Sequence, residues 1–539
     1  MTASFFLGLN NTESEFDNYK AFLSMFFCEQ NNLIANDIYA KLNELQAKTN
    51  SELTIVSAIS ILHLFEFAFE NLTDEETQTS AEIEVNIFKA ILLQNEINIR
   101  LQDRAVETTE KKEGVYRVAA LSMTQMFPYS ELINYDIAML TSSQVIKSVF
   151  LFEFLSSNAA TLPLLQAFIE NLPVADGKEY IKRLMGIIMP ILKASKEGYL
   201  DLNVTEDEHF SSTLQFIQRL AVADNTVLTD YDFRKIRSAP LYKVAEKTFR
   251  VISKLFAIEL LHKGVYFKLA EFNSNLKVIP EFRSFYCAEF SERFLLYKIL
   301  KQIFAGRYIE FSGEAIRQLG VDGGPDYYVR NGNYIYLFES KDIFINAKIK
   351  GTYDFDLYET EFRKKLYYDM KGDKVDKKAV LQIITNIKTI LTGEQVFDTR
   401  YKAGSVYIYP ILVLHDRQFN LPGLNHIVNT WFADELKMLK EKGIATGRVK
   451  PLVIMDIDTL IYHQDNFSNK KLKLNDVIDE YFKLTTLKPT QQFRNEEHKA
   501  NTIKRSLMPF SLFLSNYTMD MDIKKVPNMF LDKGYTLLV

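Results

Sequence analysis

The sequence predicts a multidomain protein with α and α/β parts: a mostly helical N-terminal half, a mixed-sheet α/β core and a helical C-terminal tail. Its length of 539 residues corresponds to about two to four domains. Glycine is unevenly distributed, with six in residues 1–300 and fourteen in residues 301–539. Because a glycine costs a helix interior about 1 kcal/mol, the glycine-poor first part favours helices.

Apolar residues in the first part recur at spacings of three and four. Residues 19–45 and 82–101 show this pattern clearly, and we predict amphipathic helices there. We therefore assign residues 1–275 to one helical region. Its expected role is regulatory, through binding of a protein partner or through self-association.

From residue 276 the pattern changes to short β-rich runs between helices. We predict a helix at 285–304, strands at 308–311, 327–330 and 333–338, a helix at 377–391, and strands at 405–416 and 450–460. This order predicts a mixed α/β domain over residues 276–465 and a helical extension, 466–539, packed on it. Residues 342–376 are long for a simple connection, and we interpret them as an insertion or a substrate loop.

Composition excludes several classes of protein. The net charge is −5, so any nucleic-acid site must be a local basic patch. Cys28 and Cys287 are the two cysteines, without a C-x-x-C pair, which argues against a zinc ribbon or a disulfide framework and favours a reducing, cytoplasmic setting. The richest apolar run, from Val149, is interrupted by Glu153 and falls short of the roughly 18 residues of a membrane span, so no membrane association is expected.

A β-hairpin is predicted within residues 323–342, which read GGPDYYVRNGNYIYLFESKD. Asn331-Gly332 is a strong two-residue turn signal, because both turn positions of a type I′ hairpin need positive φ. With those residues as the loop, Arg330 pairs with Asn333.

That register brings charged side chains together. Asp326 lies opposite Leu337 and diagonally next to Glu339, and Lys341 follows one step further on the same strand face. Two close carboxylates repel each other unless a cation lies between them. Oxygen ligands of this kind suit Mg²⁺, with Mn²⁺ as a substitute, and a bound metal of this class promotes hydrolysis of phosphodiesters.

Pro325-Asp326 followed by Glu339-Ser340-Lys341 resembles the motif of the PD-(D/E)XK nuclease superfamily. The resemblance covers residues of about 285–460 and implies a restriction-endonuclease-like core. It also implies that Asp326 and Glu339 hold the metal and that Lys341 assists catalysis.

The resemblance extends to two flanking helices. A metal-shell glutamate is expected on the helix before the first strand, where Glu292 is our choice and Glu289 the alternative. A polar residue facing the site is expected on the later helix, where Gln382 lies four residues from Lys378. Residues 348–378 interleave nine basic and seven acidic residues with tyrosines, a pattern that fits either contacts to a nucleic-acid backbone or a solvated helix face. The expected contacts are Lys364, Lys365 and Lys378.

The function expected from this reading is a metal-dependent nuclease that hydrolyses nucleic acid, with DNA favoured over RNA. By analogy with proteins that carry such cores, anti-phage defence, DNA restriction or DNA repair is the expected setting. Two alternatives stay open: a helical interaction protein with an inactive nuclease-like domain, and an RNA-cleaving toxin with the same site. In the first, Glu339 and Lys341 form a structural ion pair.

Other charged motifs have simpler explanations. Asp456 and the His415-Asp416 pair end predicted strands, where polar residues commonly form turns. Further tripeptides of the same kind, including Glu435-Leu436-Lys437 and Asp369-Met370-Lys371, are interpreted as solvated pairs.

Overall fold

A computed structural model describes residues 19–49, 53–71, 78–133, 135–193, 199–223, 226–304, 306–487 and 492–538. Helices dominate the N-terminal half and a mixed sheet lies in the C-terminal half, which confirms the predicted fold class at this level. The chain divides into two compact units, the first formed by Met1–Asp103 and Gln166–Leu269, the second by Arg104–Leu165 and Ala270–Val539. Residues 104–165 thus group with the second unit, whereas the predicted helical region ran unbroken to residue 275.

The first unit is built mainly from helices. The predicted helix at 19–45 is interrupted around Phe27-Cys28, and the one at 82–101 lies inside a longer helix. Three helices, Ser80–Thr109, Leu162–Asn171 and Val265–Leu276, carry the chain from one unit to the other. The remaining helical segments of this unit are Tyr19–Phe26, Glu29–Asn31, Asn32–Thr49, Ala58–Glu70, Gly177–Lys193, Phe210–Gln218, Tyr231–Phe233, Arg234–Ser238, Lys254–Glu259 and the π-helical Leu260–Gly264.

The first unit also contains a small antiparallel sheet that we did not predict. Its strands are β1 (Asp201–Asn203), β2 (Leu241–Ala245) and β3 (Thr248–Val251), in the order β1-β3-β2. The three-residue β1 pairs with β3 across more than forty residues of chain, for example Leu202 with Phe249.

The second unit is organised around a five-stranded mixed sheet. Its strands are β4 (Ile309–Ser312), β5 (Tyr327–Asn331), β6 (Tyr334–Lys341), β9 (Tyr407–Leu414) and β10 (Val453–Asp456), in the order β10-β9-β6-β5-β4. A separate hairpin, β7 (Tyr368–Lys371) with β8 (Lys374–Lys377), lies between β6 and β9 in the chain. β4, β5 and β6 are antiparallel neighbours, whereas β6, β9 and β10 run parallel.

Helices supply the crossovers that parallel strands require. Ala379–Thr392 connects β8 to the segment before β9, and Leu424–Glu441 connects β9 to β10. The other helical segments of this unit are Gly114–Met126, Ser130–Ile133, Ile137–Ser157, Phe282–Phe285, Tyr286–Leu296 (π-helical), Tyr297–Phe304, Gly313–Gln318, Ala347–Lys350, Phe355–Phe362, Arg363–Tyr367 (π-helical), Ala403–Ser405, Arg417–Phe419, Ile457–Ser468, Leu474–Thr485, Glu496–Ser506, Phe510–Tyr517 and Asn528–Leu538.

The central strand β6 is buried on both faces. Every residue from Ile335 to Ser340 is buried, as expected for an interior strand of a covered sheet. Leu337 belongs to the main apolar core, together with Ile387 of the first crossover helix and Trp431 of the second. Glu339 therefore lies inside an apolar strand, where a carboxylate is costly unless it is paired.

Within the described residues, one helix, Ile137–Ser157, is long and apolar enough to span a membrane. In this structure 72% of its apolar window is buried inside the protein, which is typical of a core helix. Its interrupting Glu153 pairs with Lys298 at 3.2 Å and with Lys533.

A buried ion pair anchors β5 to the loop after the first crossover helix. Arg330 donates to both carboxylate oxygens of Asp398, at 2.5 and 3.0 Å, and Tyr328 donates to the same carboxylate at 2.8 Å. Burial opposes the charge on Asp398, but these hydrogen bonds lower its pKa overall. Its contribution to stability is therefore present at neutral pH and lost as the pH falls through the lowered pKa.

We predict that Asp398→Ala destabilises the second unit by about 3–5 kcal/mol, because it leaves the Arg330 guanidinium buried without its partner. The midpoints of thermal and denaturant unfolding measure the loss. Asp373→Ala, at an exposed position of the β7–β8 turn, is the matched control. Equal stability of the two variants would contradict the prediction.

Candidate active site

The predicted β-hairpin is present, but its register differs from the prediction by two residues. Asn331 pairs with Tyr334 and Arg330 with Ile335, instead of Arg330 with Asn333. Gly332 and Asn333 form the loop, and Gly332 has a φ of +57°. Asn333 does not have a positive φ, so the loop lacks the positive φ at both positions that the predicted type I′ turn requires, and glycine at the first position is typical of a type II′ turn.

A shift of two residues leaves every side chain on its predicted face. It also brings the two carboxylates closer than predicted. Tyr327 pairs with Phe338, and the same register continued by one residue places Asp326 directly opposite Glu339 instead of diagonal to it. Directly opposed residues have Cβ atoms about 5 Å apart.

Glu339, Lys341 and Asp326 are linked by short polar contacts. The Lys341 ammonium donates to Glu339 Oε1 at 2.6 Å. The backbone N–H of Ser340 donates to Asp326 Oδ2 at 2.7 Å. Glu339 is 1% exposed, whereas the Lys341 side chain is 20% exposed. The lysine thus connects a buried carboxylate with a more accessible surface.

The pKa values of Glu339 and Asp326 are both raised above their usual range. The pKa of Glu339 is raised to about 8: burial is the largest cause, Asp326 and Glu292 also raise it, and Lys341 acts in the opposite direction. Burial likewise raises the pKa of Asp326, against the effects of Lys341 and the Ser340 N–H group. Burial opposes the charge on Lys341, yet the surrounding carboxylates raise its pKa overall. One ammonium therefore does not balance the local negative charge, and a further cation would stabilise the group.

Glu292, rather than Glu289, belongs to this cluster. Burial raises the pKa of Glu292 to about 7, and the next largest cause is Asp326. Its Oε1 accepts a hydrogen bond from the Tyr297 hydroxyl at 3.1 Å. Glu289 instead pairs with Arg293 on its own helix, at 2.5 Å. The structure thus distinguishes between the two glutamates that the sequence left open.

The donor set fits a hard divalent cation. Asp326 and Glu339 offer carboxylate oxygens, the ligands that Mg²⁺ prefers, and Mg²⁺ commonly uses one or two carboxylates together with water and substrate phosphate. Among the described residues, no three His, Cys, Asp or Glu side chains gather into a metal-binding group. Glu292 contributes to the electrostatic field of the pair, because Asp326 is among the causes that raise its pKa.

Backbone packing fixes the position of Asp326. The Gly313 N–H donates to the Asp326 carbonyl oxygen at 2.7 Å. A Cβ at Gly313 would lie 3.2 Å from that oxygen, and one at Gly324 would lie 2.7 Å from Ile316 Cγ2. Gly323 has a φ of +75°. Glycines here let the chain bend and pack closely where Asp326 enters the sheet.

A basic cleft of about 390 Å³ begins at Lys341. It is lined by five lysines and two aspartates, so its walls are net positive. The three lysines predicted to contact nucleic acid, Lys364, Lys365 and Lys378, line it together with Gln382, the polar residue predicted on the later helix. Glu292, the other residue predicted from outside the hairpin, does not line it. In the sequence analysis the three lysines and Gln382 were assigned to a loop and to a helix. In the fold they lie on one surface, which includes Lys341.

The predicted insertion, residues 342–376, forms much of this cleft. Lys364 and Lys365 lie on the π-helical turn Arg363–Tyr367, and the β7–β8 hairpin follows it. Lys378 pairs with Asp376 at 2.8 Å. The Oε1 atom of Gln382 is buried and has no hydrogen-bond partner among the described residues. An acceptor without a partner at this position is available to a ligand in the cleft.

Two site residues were not anticipated from the sequence. Tyr297 binds Glu292 from five positions further along the helix, a spacing that the π-helical segment Tyr286–Leu296 makes possible. Arg317, on the short helix Gly313–Gln318, lowers the pKa of Asp326 and of Glu292 as a minor cause. The available signal for Arg317 was its place in the short segment between β4 and Asp326.

The other strand-end motifs are structural, as interpreted from the sequence. Asp456 caps a helix by accepting from the Thr459 N–H at 2.7 Å. Asp416 caps the turn that follows β9 by accepting from the Gln418 N–H at 3.0 Å. His415 lies 2.9 Å from the Ser340 hydroxyl, on the face of β6 opposite Glu339, and burial lowers the pKa of the histidine to about 4.

Comparison of the chain with known protein families, with curated proteins and with solved structures found no match, so the site is defined by its own geometry.

Proposed function

We propose that the protein is a metal-dependent nuclease of the PD-(D/E)XK type, with a restriction-endonuclease-like core and nucleic acid, DNA favoured, as its substrate. The observation that carries the proposal is the register of β5 and β6, which sets Asp326 opposite Glu339 with Lys341 bonded to Glu339. A structural ion pair accounts for Glu339 and Lys341, but it does not account for a second carboxylate, Asp326, directly opposite Glu339.

The order of the surrounding elements supports the proposal. A helix that carries Glu292 precedes the strands, the hairpin carries the Asp326 and Glu339 pair, and a later helix turns Gln382 towards the cleft. The resemblance assigns site residues to these same three elements.

Asp326 and Glu339 would hold Mg²⁺, or Mn²⁺ in its place. When bound, such an ion polarises the phosphodiester and lowers the pKa of a water molecule. The Lys341 ammonium is positioned to orient the attacking water and to stabilise negative charge that develops on the phosphate. Glu292 adds negative charge that favours a cation at the pair, and Tyr297 holds Glu292 in place.

The basic cleft supplies the substrate site. Lysines bind phosphates as compact point charges, and a row of them follows a nucleic-acid backbone without reading its sequence. Because Lys341 lines the cleft, a phosphate bound there lies next to the catalytic residues.

The test is incubation of the purified full chain with plasmid, linear duplex and single-stranded DNA and with RNA, each with Mg²⁺ or with EDTA. We expect cleavage of DNA in Mg²⁺ and none in EDTA. Cleavage of RNA alone would replace DNA by RNA as the substrate, and cleavage that persists in EDTA would overturn the proposed chemistry. Absence of cleavage of all four substrates would support an inactive nuclease-like domain.

We further predict that the double variant Lys364→Gln, Lys365→Gln binds nucleic acid more weakly, and that the loss is similar for all nucleotide sequences. The slope of log affinity against log salt should fall by about one for each lost phosphate contact. Fluorescence anisotropy in EDTA, over a series of salt concentrations, measures it without cleavage. Lys437→Gln with Lys440→Gln, two exposed lysines on the helix Leu424–Glu441, is the control pair. An unchanged slope in this double variant would show that the cleft does not bind the nucleic-acid backbone.

A further inference from the structure

A second cavity, of about 310 Å³, lies in the second unit, away from the carboxylate pair. Tyr334 and Tyr336, on the face of β6 opposite Glu339, form part of its wall. We call it the aromatic pocket and define it by six of its lining residues: Tyr308, Tyr334, Tyr336, Lys470, Lys473 and Asp476. No role proposed above for the nuclease site uses any of these residues.

The walls of the aromatic pocket are flat rings held in fixed orientations. Tyr336 stacks on Phe304, with ring centroids 6.1 Å apart and planes 24° from parallel. Tyr334 stacks on Tyr407 at 5.9 Å and 29°. Tyr334 is still 36% exposed, so part of its ring is available to a ligand. Aromatic faces of this kind stack on planar heterocycles, as they do on nucleobases.

The polar residues of the pocket are of both signs. Lys470 and Lys473 form no ion pair with any described residue. Asp476 accepts a hydrogen bond from the Asn475 amide at 2.6 Å, and the Tyr336 hydroxyl donates to Asn475 at 3.2 Å. An ordered carboxylate suits the amino group of a base, whereas two unpaired ammonium groups suit a phosphate.

We propose that the aromatic pocket binds a mononucleotide, with its base against the tyrosines and its phosphate at Lys470 and Lys473. The volume is at the lower end of the range for ligand sites of about 300–1,000 Å³, which fits one nucleotide better than two. The pocket lies on the other side of β6 from the carboxylate pair, so the proposal does not depend on nuclease activity.

Calorimetry of the full chain in EDTA tests the proposal, with AMP, GMP, CMP and UMP as probes. Adenosine, which lacks the phosphate, and ribose 5-phosphate, which lacks the base, are the matched half-ligands. We expect at least one mononucleotide to bind about tenfold or more tightly than either half-ligand, because both parts of the pocket must be filled. Failure of all four mononucleotides to bind, or equal binding of ribose 5-phosphate, overturns the proposal.

Variants then locate the binding. Lys470→Gln with Lys473→Gln should weaken nucleotide binding by about tenfold or more, and Tyr334→Ala should weaken it as well. Lys483→Gln, an exposed lysine on the same helix as Asp476, is the control and should bind like the wild type. The cleft variant Lys364→Gln, Lys365→Gln should also bind mononucleotides like the wild type. Loss of binding in the cleft variant, or unchanged affinity in the Lys470 and Lys473 variant, would place the nucleotide elsewhere. Circular dichroism confirms that each variant is folded.

Discussion

Glu339→Gln is expected to lower the rate of metal-dependent cleavage by about 10³-fold or more, since it removes one of two carboxylates that hold the metal. Asp326→Asn should have the same effect, because the two residues oppose each other in one register. Glu310→Gln is the matched control: Glu310 belongs to the same sheet, but it accepts a hydrogen bond from Tyr327 and does not contact the pair. Its rate should stay within about threefold of the wild type, as for most substitutions away from a site.

Metal binding gives a second measurement that does not depend on activity. For a cation of about millimolar affinity, 10 mM Mg²⁺ should stabilise the folded wild-type protein by about 1.4 kcal/mol. This stabilisation is measured as an increase in Tm, and the increase should disappear in Glu339→Gln. The shift should persist in Glu310→Gln. If Mg²⁺ stabilises Glu339→Gln as much as the wild type, the pair does not bind the metal, whatever happens to cleavage.

Lys341→Met is expected to slow cleavage by about 10²–10³-fold while the protein still binds metal and nucleic acid. The methionine keeps most of the apolar stem but removes the ammonium that donates to Glu339. An ammonium has no lone pair and is not a metal ligand, so its loss should affect the transition state and leave ground-state binding within about tenfold. Single-turnover rates with anisotropy in EDTA separate the two effects.

Two comparisons make this result specific. Lys341→Arg should recover little activity, because a planar guanidinium does not replace a compact point charge. Lys437→Met, in the second Glu-x-Lys tripeptide, changes an exposed lysine and should cleave like the wild type. Wild-type rates in Lys341→Met would identify Glu339 and Lys341 as a structural ion pair.

The hairpin shows which features of a site a sequence contains. The alternation of side chains fixed the faces, so Asp326, Glu339 and Lys341 were correctly placed on one side of β6. The register was wrong by two residues because Asn331-Gly332 and Gly332-Asn333 are both acceptable loops, one of type I′ and the other with glycine first. Either register pairs the core residue Tyr328 with another core residue, Ile335 or Leu337, so the apolar pattern of the strands does not decide between them.

The periodicity of apolar residues could not predict which segments, distant in the chain, pack together. Apolar spacing assigned residues 1–275 to one helical region, but such spacing does not show which surface an apolar face packs against. In the structure Ala119, Met123 and Phe127 pack into the core of the second unit. For the same reason β1 was missed, since Asp201–Asn203 has little strand propensity and is stabilised by pairing with the distant β3.

The residues that line the basic cleft could not be grouped from the sequence either. Lys364 and Lys365 were candidates only because they lie in a basic, tyrosine-rich stretch, and Gln382 only because of its place on the later helix. No spacing rule connects these residues, which lie on opposite sides of the β7–β8 hairpin in the chain. Their common surface is a product of the fold.

The π-helical segment Tyr286–Leu296 has an evolutionary consequence. In an α-helix, residues five apart point about 140° away from each other. A turn closed by bonds between residues five apart brings them to one side, as seen for Glu292 and Tyr297. Deletion of one residue from this segment would restore the α-helical repeat and rotate Glu292 by about 100° relative to the helix that follows. A related sequence that keeps Glu292 but lacks one neighbouring residue would therefore no longer place this third carboxylate next to Asp326 and Glu339. We expect related proteins with the same site to conserve the length of this helical segment as well as its residue types.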